Sequence, residues 1–272
     1  MIDVSPVALE VVLGFRELYR QEMNCQIIHD SLPRRGFGNL FQFRIDGRAV
    51  GHGFVMGYQG EPKDLVREFY VLPAYRGAAL KLFRRLVETS KATRIEVQTN
   101  DVLLTMMFYD HATEVVSERM LFRDALTTNL AVPGVIFRRA TDADKQRIFD
   151  DQADSVGDWL LECGEAIVAT GGFLTHYNPP YADIYMNVSS THRRRGYGSY
   201  FVQELKRACY EAGHIPAARC DVSNTGSRST LEKAGLLPCA RVLLGVLAGF
   251  ETRRFVSDVD QAGIAEGPSR GA

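Results

Sequence analysis

The chain repeats itself once, so its fold has to be built twice. Residues 69–90 read FYVLPAYRGAALKLFRRLVETS and residues 184–212 read IYMNVSSTHRRRGYGSYFVQELKRACYEA. Each is an apolar strand, then a turn rich in Pro or Gly, then a helix with one apolar face. Leu82, Phe83, Leu86 and Val87 make that face in the first copy; Phe201, Leu205, Ala208 and Ala212 make it in the second. Val71 and Arg76 recur as Val188 and Arg193, each 117 residues further on. A period of that length is a domain, not a solenoid unit.

The similarity extends outward from this unit. After each helix comes a short strand ending in Asn, residues 95–100 and 217–224, and then a second helix. The later one closes with Lys233 in its last turn and Gly235 just beyond, the charge and the cap that stop a helix. Upstream, the first half opens with an amphipathic stretch (7–21) and two strands (40–45 and 49–58) joined by an Asp46-Gly47 hairpin turn. The second half opens with a strand (135–139), a helix (142–152) and two strands (158–162 and 165–175). These elements predict an α/β (α+β) chain of two domains, 1–126 and 135–256, with a small-residue linker at 127–134. A tail at 257–272, nearly free of large apolar residues, is expected to be disordered.

Charge removes several classes of function. Lys and Arg total 32 against 33 Asp and Glu, so no overall basic field exists to hold a nucleic acid or an anionic membrane. The five cysteines are scattered and never form a C-x-x-C pair, which argues against a disulfide framework or a zinc site and for reduced thiols in the cytoplasm. The N-terminus has no secretory pattern, and no apolar run is long enough to span a bilayer.

An anion must therefore be met locally, and one segment suits that. Arg193-Arg194-Arg195-Gly196-Tyr197-Gly198-Ser199 lies between a strand and a helix. Glycines there let successive N–H groups and the helix N-terminus converge on a phosphate, and arginines add fork-shaped donors. The plainer reading is a solvated basic loop that caps a helix. No Lys-Ser or Lys-Thr follows the glycines, and there is no G-x-G-x-x-G, so neither a nucleotide-hydrolase loop nor a dinucleotide fingerprint is present.

The order of strand, R-x-x-G-x-G, helix, strand ending in Asn, and helix ending in Lys-Ala-Gly-Leu resembles the GNAT superfamily of acyl-CoA N-acyltransferases. The resemblance is good over residues 135–250 and looser over 5–125. It implies two tandem GNAT-like domains, each a mixed, mostly antiparallel sheet flanked by helices. It also implies that acetyl-CoA is the co-substrate, that no metal is needed, and that the acceptor is a small-molecule or peptide amine. By the same resemblance the strand before the loop, 182–188, splays from its neighbour. Backbone groups around Met186 and Val188 would then hold the pantetheine arm. Arg193, Arg194, Arg195, Gly196, Tyr197, Gly198 and Ser199 would hold the diphosphate, with Asn224 and Ser227 near the thiol end. In the first half Ala79 and Lys81 stand where the second has Gly196 and Gly198. The added side chains obstruct a phosphate, so only the C-terminal half is expected to bind the carrier.

Family members often place a Tyr on the last helix to protonate coenzyme A; here that position is Leu231, and Met107 in the first half. Ser227 is the nearest polar substitute, although a Ser in a first helical turn commonly just caps it. Asp183, Tyr185 and Asn187 alternate along the strand into the loop, so they share one face. Asp183 is the first choice for general base and Tyr185 for a relay; the alternative is a solvated strand-end acid. His176, His192, Cys220 and Trp159 read as surface, loop or core residues, and Glu68 as a relic of a base in the first half. Two readings remain: an N-acetyltransferase acting by direct attack in a ternary complex, or a carrier-binding sensor that has lost its chemistry.

Overall fold

The computed structural model describes residues 1–28, 31–58, 60–149, 157–176 and 178–248. β1 (Ile2–Val7) leads into α1 (Leu9–Met23) and the single turn α2 (Ser31–Arg34), followed by β2 (Gly38–Ile45), β3 (Arg48–Met56) and β4 (Leu65–Val71). Then come α3 (Ala79–Ser90), β5 (Arg94–Gln98), α4 (Val102–His111) and the long β6 (Ala112–Asp124). The second half runs β7 (Val135–Arg139), a 3-10 turn (Asp142–Gln146), β8 (Trp159–Cys163), β9 (Ala166–Leu174) and β10 (Tyr181–Val188). It ends with α5 (Tyr197–Glu211), β11 (Ile215–Asp221), α6 (Thr225–Lys233) and β12 (Leu236–Leu247).

Local sequence explains most of these elements. α1 buries Val12, Arg16, Tyr19 and Met23, the stripe that a single helix face requires. It stops at Asn24, whose left-handed φ of 50° suits asparagine. Asp46 and Gly47 take φ of 48° and 79°, the tight hairpin that Asp-Gly favours between β2 and β3. α6 ends at Gly235, with φ 89°, where a Cβ would lie 2.1 Å from the Leu126 carbonyl oxygen. β1 and β6 escaped the sequence reading. The first eight residues of β6 are mostly exposed and polar and show little alternation.

Among the described residues twelve strands form one sheet in the order β1-β2-β3-β4-β5-β12-β6-β11-β10-β9-β8-β7. Neighbours are antiparallel except β4 with β5 and β10 with β11. The repeat leads one to expect two sheets; the structure joins them by exchanging strands. β6, the last strand of the first half, lies beside β11 of the second, while β12 lies beside β5 of the first. β6 and β12 then pair with each other. The cores follow the exchange. Met120 and Phe122 of β6 pack with Phe201, Leu205 and Leu231, and Leu243 of β12 packs with Phe83 and Phe108.

Segment 127–134 lies along α5 instead of hanging free. The Gln203 side-chain oxygen accepts from the Leu130 N–H at 2.7 Å and from the Thr128 hydroxyl at 2.9 Å. Lys206 of α5, nearly buried, donates to the Leu126 and Ala234 carbonyls, each at 2.8 Å, and so ties the exit of β6 to the end of α6. The cation sits where α6 presents its unpaired carbonyls. The expectation for residues 257–272 falls outside the described residues.

Candidate active site

β10 and β11 start side by side and then part. They are partners only over residues 181–184 and 215–218; beyond that β10 stays with β9 as far as Val188, and β11 follows β6. A gap opens between them. The β9–β10 ladder fixes which groups face it. The Ser189 N–H bonds the Val168 carbonyl at 3.0 Å, so by antiparallel alternation residues 185, 187 and 189 turn their backbone groups towards β9. Those of Met186 and Val188 point into the gap.

The loop above the gap is shaped by two left-handed residues. After a 3-10 turn at Ser190–His192, Arg193 is extended, Arg194 takes φ 61°, and Gly196 takes φ 85° as the N-cap of α5. The first helical bond runs from Tyr200 N–H to the Gly196 carbonyl at 3.1 Å. Among the described residues no side chain caps this end, which leaves the amides of 197–199 at the positive pole of the helix. Gly198 closes the neck of the gap. A Cβ there would lie 3.2 Å from the Thr230 methyl, 3.3 Å from Met186 Cε and 3.4 Å from Val188 Cγ2. Tyr197 and Ser199 are buried, so they can offer an anion only their backbone N–H. The Tyr197 hydroxyl donates to Cys163 Sγ at 3.4 Å. Arg193 folds back, Nε donating to the Val188 carbonyl at 3.2 Å, while Arg194 and Arg195 are exposed.

Asp183, Tyr185 and Asn187 occupy the face of β10 turned away from α5, since Ile184, Met186 and Val188 pack with the α5 core. Asp183 is not a solvated strand-end acid. Its side chain is only 13% exposed and lies 3.1 Å from Arg219 Nε on β11. Burial pushes its carboxyl up to about 6, against the pull of Arg219 and Arg119. Tyr185 is 37% exposed, and its hydroxyl lies over Gly172, 3.0 Å from where a Cβ would be. Burial and the Asp158 carboxylate raise its pKa, against a bond from the Asp158 N–H, so it is a phenol at neutral pH.

Known proteins share this geometry. Residues 126–236 match the Acetyltransferase (GNAT) family. The chain carries a GNAT acetyltransferase domain. Solved structures with the same fold span nearly the whole molecule. An acetyltransferase of the GNAT family from Colwellia psychrerythraea is 13% identical with a TM-score of 0.69, covering 90% of this chain and 100% of its own. A GCN5-related N-acetyltransferase from Sphaerobacter thermophilus is 15% identical with a TM-score of 0.59, covering 92% and 98%. A tandem GNAT protein from the clavulanic acid biosynthesis pathway is 12% identical with a TM-score of 0.57, covering 92% and 100%. At these identities the likeness is one of fold. A search of curated proteins returns no match.

The GNAT domain puts Asn224 and Ser227 at the start of α6, where the Asn224 side-chain oxygen accepts from the Ser227 N–H at 2.9 Å. Burial raises the pKa of the Cys220 thiol, and the neighbouring Ser227 pulls against that rise. Leu231 is buried in the core. His192 bonds the hydroxyls of Thr191 and Ser189 at 3.0 and 3.4 Å, and Trp159 stacks on Phe137 with ring centroids 4.7 Å apart. Among the described residues no group of three or more His, Cys, Asp or Glu is placed to hold a metal ion. The sequence reading missed Arg219. Its place on the Asp183 face was legible from strand alternation, but its carboxylate partner lies on another strand. The sequence reading also named none of the residues that the first half adds as a wall. There the Cys25 carbonyl accepts from Asn178 Nδ2 at 2.6 Å, Gln26 Nε2 donates to the Phe122 carbonyl at 3.0 Å, and the Tyr181 hydroxyl bonds Asn24.

Proposed function

We propose that this chain moves an acetyl group from acetyl-CoA to an amine by direct attack, at the C-terminal half alone. The gap between β10 and β11, closed at its neck by Gly198 and topped by the uncapped start of α5, carries this reading. Bound acetyl-CoA would supply a thioester whose leaving thiol, with an ordinary pKa of about 8.5, departs easily. The amides of 197–199, with Arg193, Arg194 and Arg195, grip the diphosphate. The N–H groups of Met186 and Val188 hold the arm and face the oxygen on which charge develops.

Asp183 takes the proton that the attacking amine must lose, with Tyr185 as the relay beside it. A carboxyl near pH 6 is ionised at neutral pH yet more basic than a free aspartate, as that step requires. Ser227 or water returns a proton to the thiolate, because Leu231 has none to give. The acceptor is a small-molecule or peptide amine, and the reaction invokes no metal. Cytoplasmic residence belongs to this reading; among the described residues no helix is long and apolar enough to cross a membrane.

The buried Leu231 favours one rival, a sensor that binds the carrier without turnover. Titration calorimetry with acetyl-CoA on wild type and Gly198→Trp tests the cradle, and the expected loss of affinity is on the order of 100-fold. Equal affinities end the assignment. Thiol release over a broad amine panel separates enzyme from sensor, since binding without turnover on any acceptor selects the sensor.

A further inference from the structure

The face that carries Asp183 also carries three arginines, and pairing registers place them around one spot. On β11, Ala218 and Cys220 pack with the α5 core, so Ala217, Arg219 and Asp221 face the other way, with Asp183. On β6, Met120 and Phe122 belong to that same core while Leu121 packs with Ile27, so Arg119, Leu121 and Arg123 also share the Asp183 face. Leu121 stands directly across from Arg219, Arg123 across from Ala217, and Arg119 across from Asp221. Arg119 and Arg123 therefore sit diagonally to either side of Arg219, within reach of long side chains.

The carboxylates on this face do not balance the arginines. Asp183 is engaged by Arg219, and Arg119 lies 4.0 Å from Asp221, a largely exposed acid. Arg123 forms no ion pair among the described residues, and its charge is felt by Tyr181 and Cys239, at the wall contributed by residues 24–27. In the row Asp183, Ala217, Arg123 the middle residue is a methyl group. Two strand spacings, about 10 Å between the outer Cα atoms, thus separate the Asp183 carboxylate from the exposed Arg123 guanidinium.

We infer that the acceptor amine also bears an anionic group, a carboxylate or a phosphate, which Arg123 and Arg219 hold while the amine lies at Asp183. A short bifunctional molecule fits this row; a plain alkylamine leaves Arg123 unmatched. Arg119 adds to the field. This inference rests on the acetyl-transfer reading above.

The test uses the full chain and pairs of amines that differ by one anionic group: 4-aminobutyrate with propylamine, lysine with cadaverine, and O-phosphoethanolamine with ethanolamine. Thiol release from acetyl-CoA is expected to favour the anionic member of at least one pair by about tenfold or more in kcat/KM. The pair that responds tells carboxylate from phosphate. Arg123→Gln is expected to collapse that ratio through KM, whereas Arg85→Gln, on the remote surface of α3, keeps it. Equal rates within every pair, or a ratio that survives Arg123→Gln, overturns the inference.

Should no amine turn over, calorimetric titration of the coenzyme A complex with glutarate and with inorganic phosphate decides. Binding lost in Arg123→Gln supports the anion subsite, and no binding of either removes it. Failure of acetyl-CoA itself to bind strikes the acetyl-transfer reading instead, and the same titrations on the free protein still judge the arginine face.

Discussion

Arg76 and Arg193 make the same bond in the two halves. Each donates from Nε to the carbonyl of the valine five residues before it, Val71 at 3.1 Å and Val188 at 3.2 Å. The turn bonds beside them also recur: Leu72 to Val50 and Tyr75 to Leu72 in one half, Ser189 to Val168 and His192 to Ser189 in the other. The loops then diverge. In the first half Pro73–Ala78 stays in 3-10 turns and runs into α3, Ala79 has φ −54°, and Arg76 is locked onto Glu22. In the second half Arg194 and Gly196 turn left-handed and the amides open outward. The opposite faces diverge as well. Glu68, 117 residues before Tyr185, is buried beneath α1, paired with Arg16 and 3.2 Å from His52. Burial alone would raise its carboxyl, but Arg16 and His52 bring it down to about 2. The mostly buried Asp183, whose partners are arginines on a more open face, goes up to about 6 instead. A repeat can thus keep its backbone hydrogen bonds while its loop and its opposite face take different forms. Glu68 is a structural ion-pair partner and not a base in waiting.

Four experiments test this contrast. Residues 135–272 expressed alone lack β6, and with it Met120 and Phe122 of their own core; they should show no cooperative melt by circular dichroism, and co-expression with 1–134 should restore it. A stable isolated half would mean that the exchange of strands is dispensable. Next, Asp183→Asn should lower kcat/KM for acetyl transfer by about 10²–10⁴-fold. The base acts when ionised, so the wild-type rate should climb as pH passes about 6 and level off above it, and the variant should lose that limb. A limb that persists places the base elsewhere.

Glu68→Gln leaves Arg16 buried without its counter-charge, a loss of about 3–5 kcal/mol in urea unfolding. Tyr185→Phe, at the matching position, should cost about 1 kcal/mol or less. The acid dependence has a definite sign. The folded-state pKa of Glu68 is depressed, so its contribution is fully present above the unfolded value near 4.5 and fades as pH falls towards 2; in Glu68→Gln that part of the acid sensitivity should vanish. The smallest change is expected from restoring glycines to the first half. Ala79→Gly with Lys81→Gly should still bind a single acetyl-CoA per chain by calorimetry, because Arg76 stays on Glu22 and α1 still covers the far face. A second equivalent bound would show that side-chain bulk alone had closed it.

Much of this was legible in the sequence because it is local. Strand, loop and helix follow from periodicity, from glycine at Gly196 and Gly198, and from the Gly235 cap, each of which acts on neighbours a few residues away. β6 was hidden because its exposed first half has no alternation, and Arg219 because ion pairing across strands leaves no trace in spacing.

The sequence by itself determined that two αβ units exist, where each loop turns, and which one kept glycines at a helix start. Only the tertiary structure decided that β6 and β12 change places and that Arg219 rests on Asp183. Backbone hydrogen bonds between strands do not read side-chain identity. Which strand pairs with which is settled by burying Phe122 or Leu243 in a core assembled from distant parts of the chain, a sum that no single stretch of residues contains.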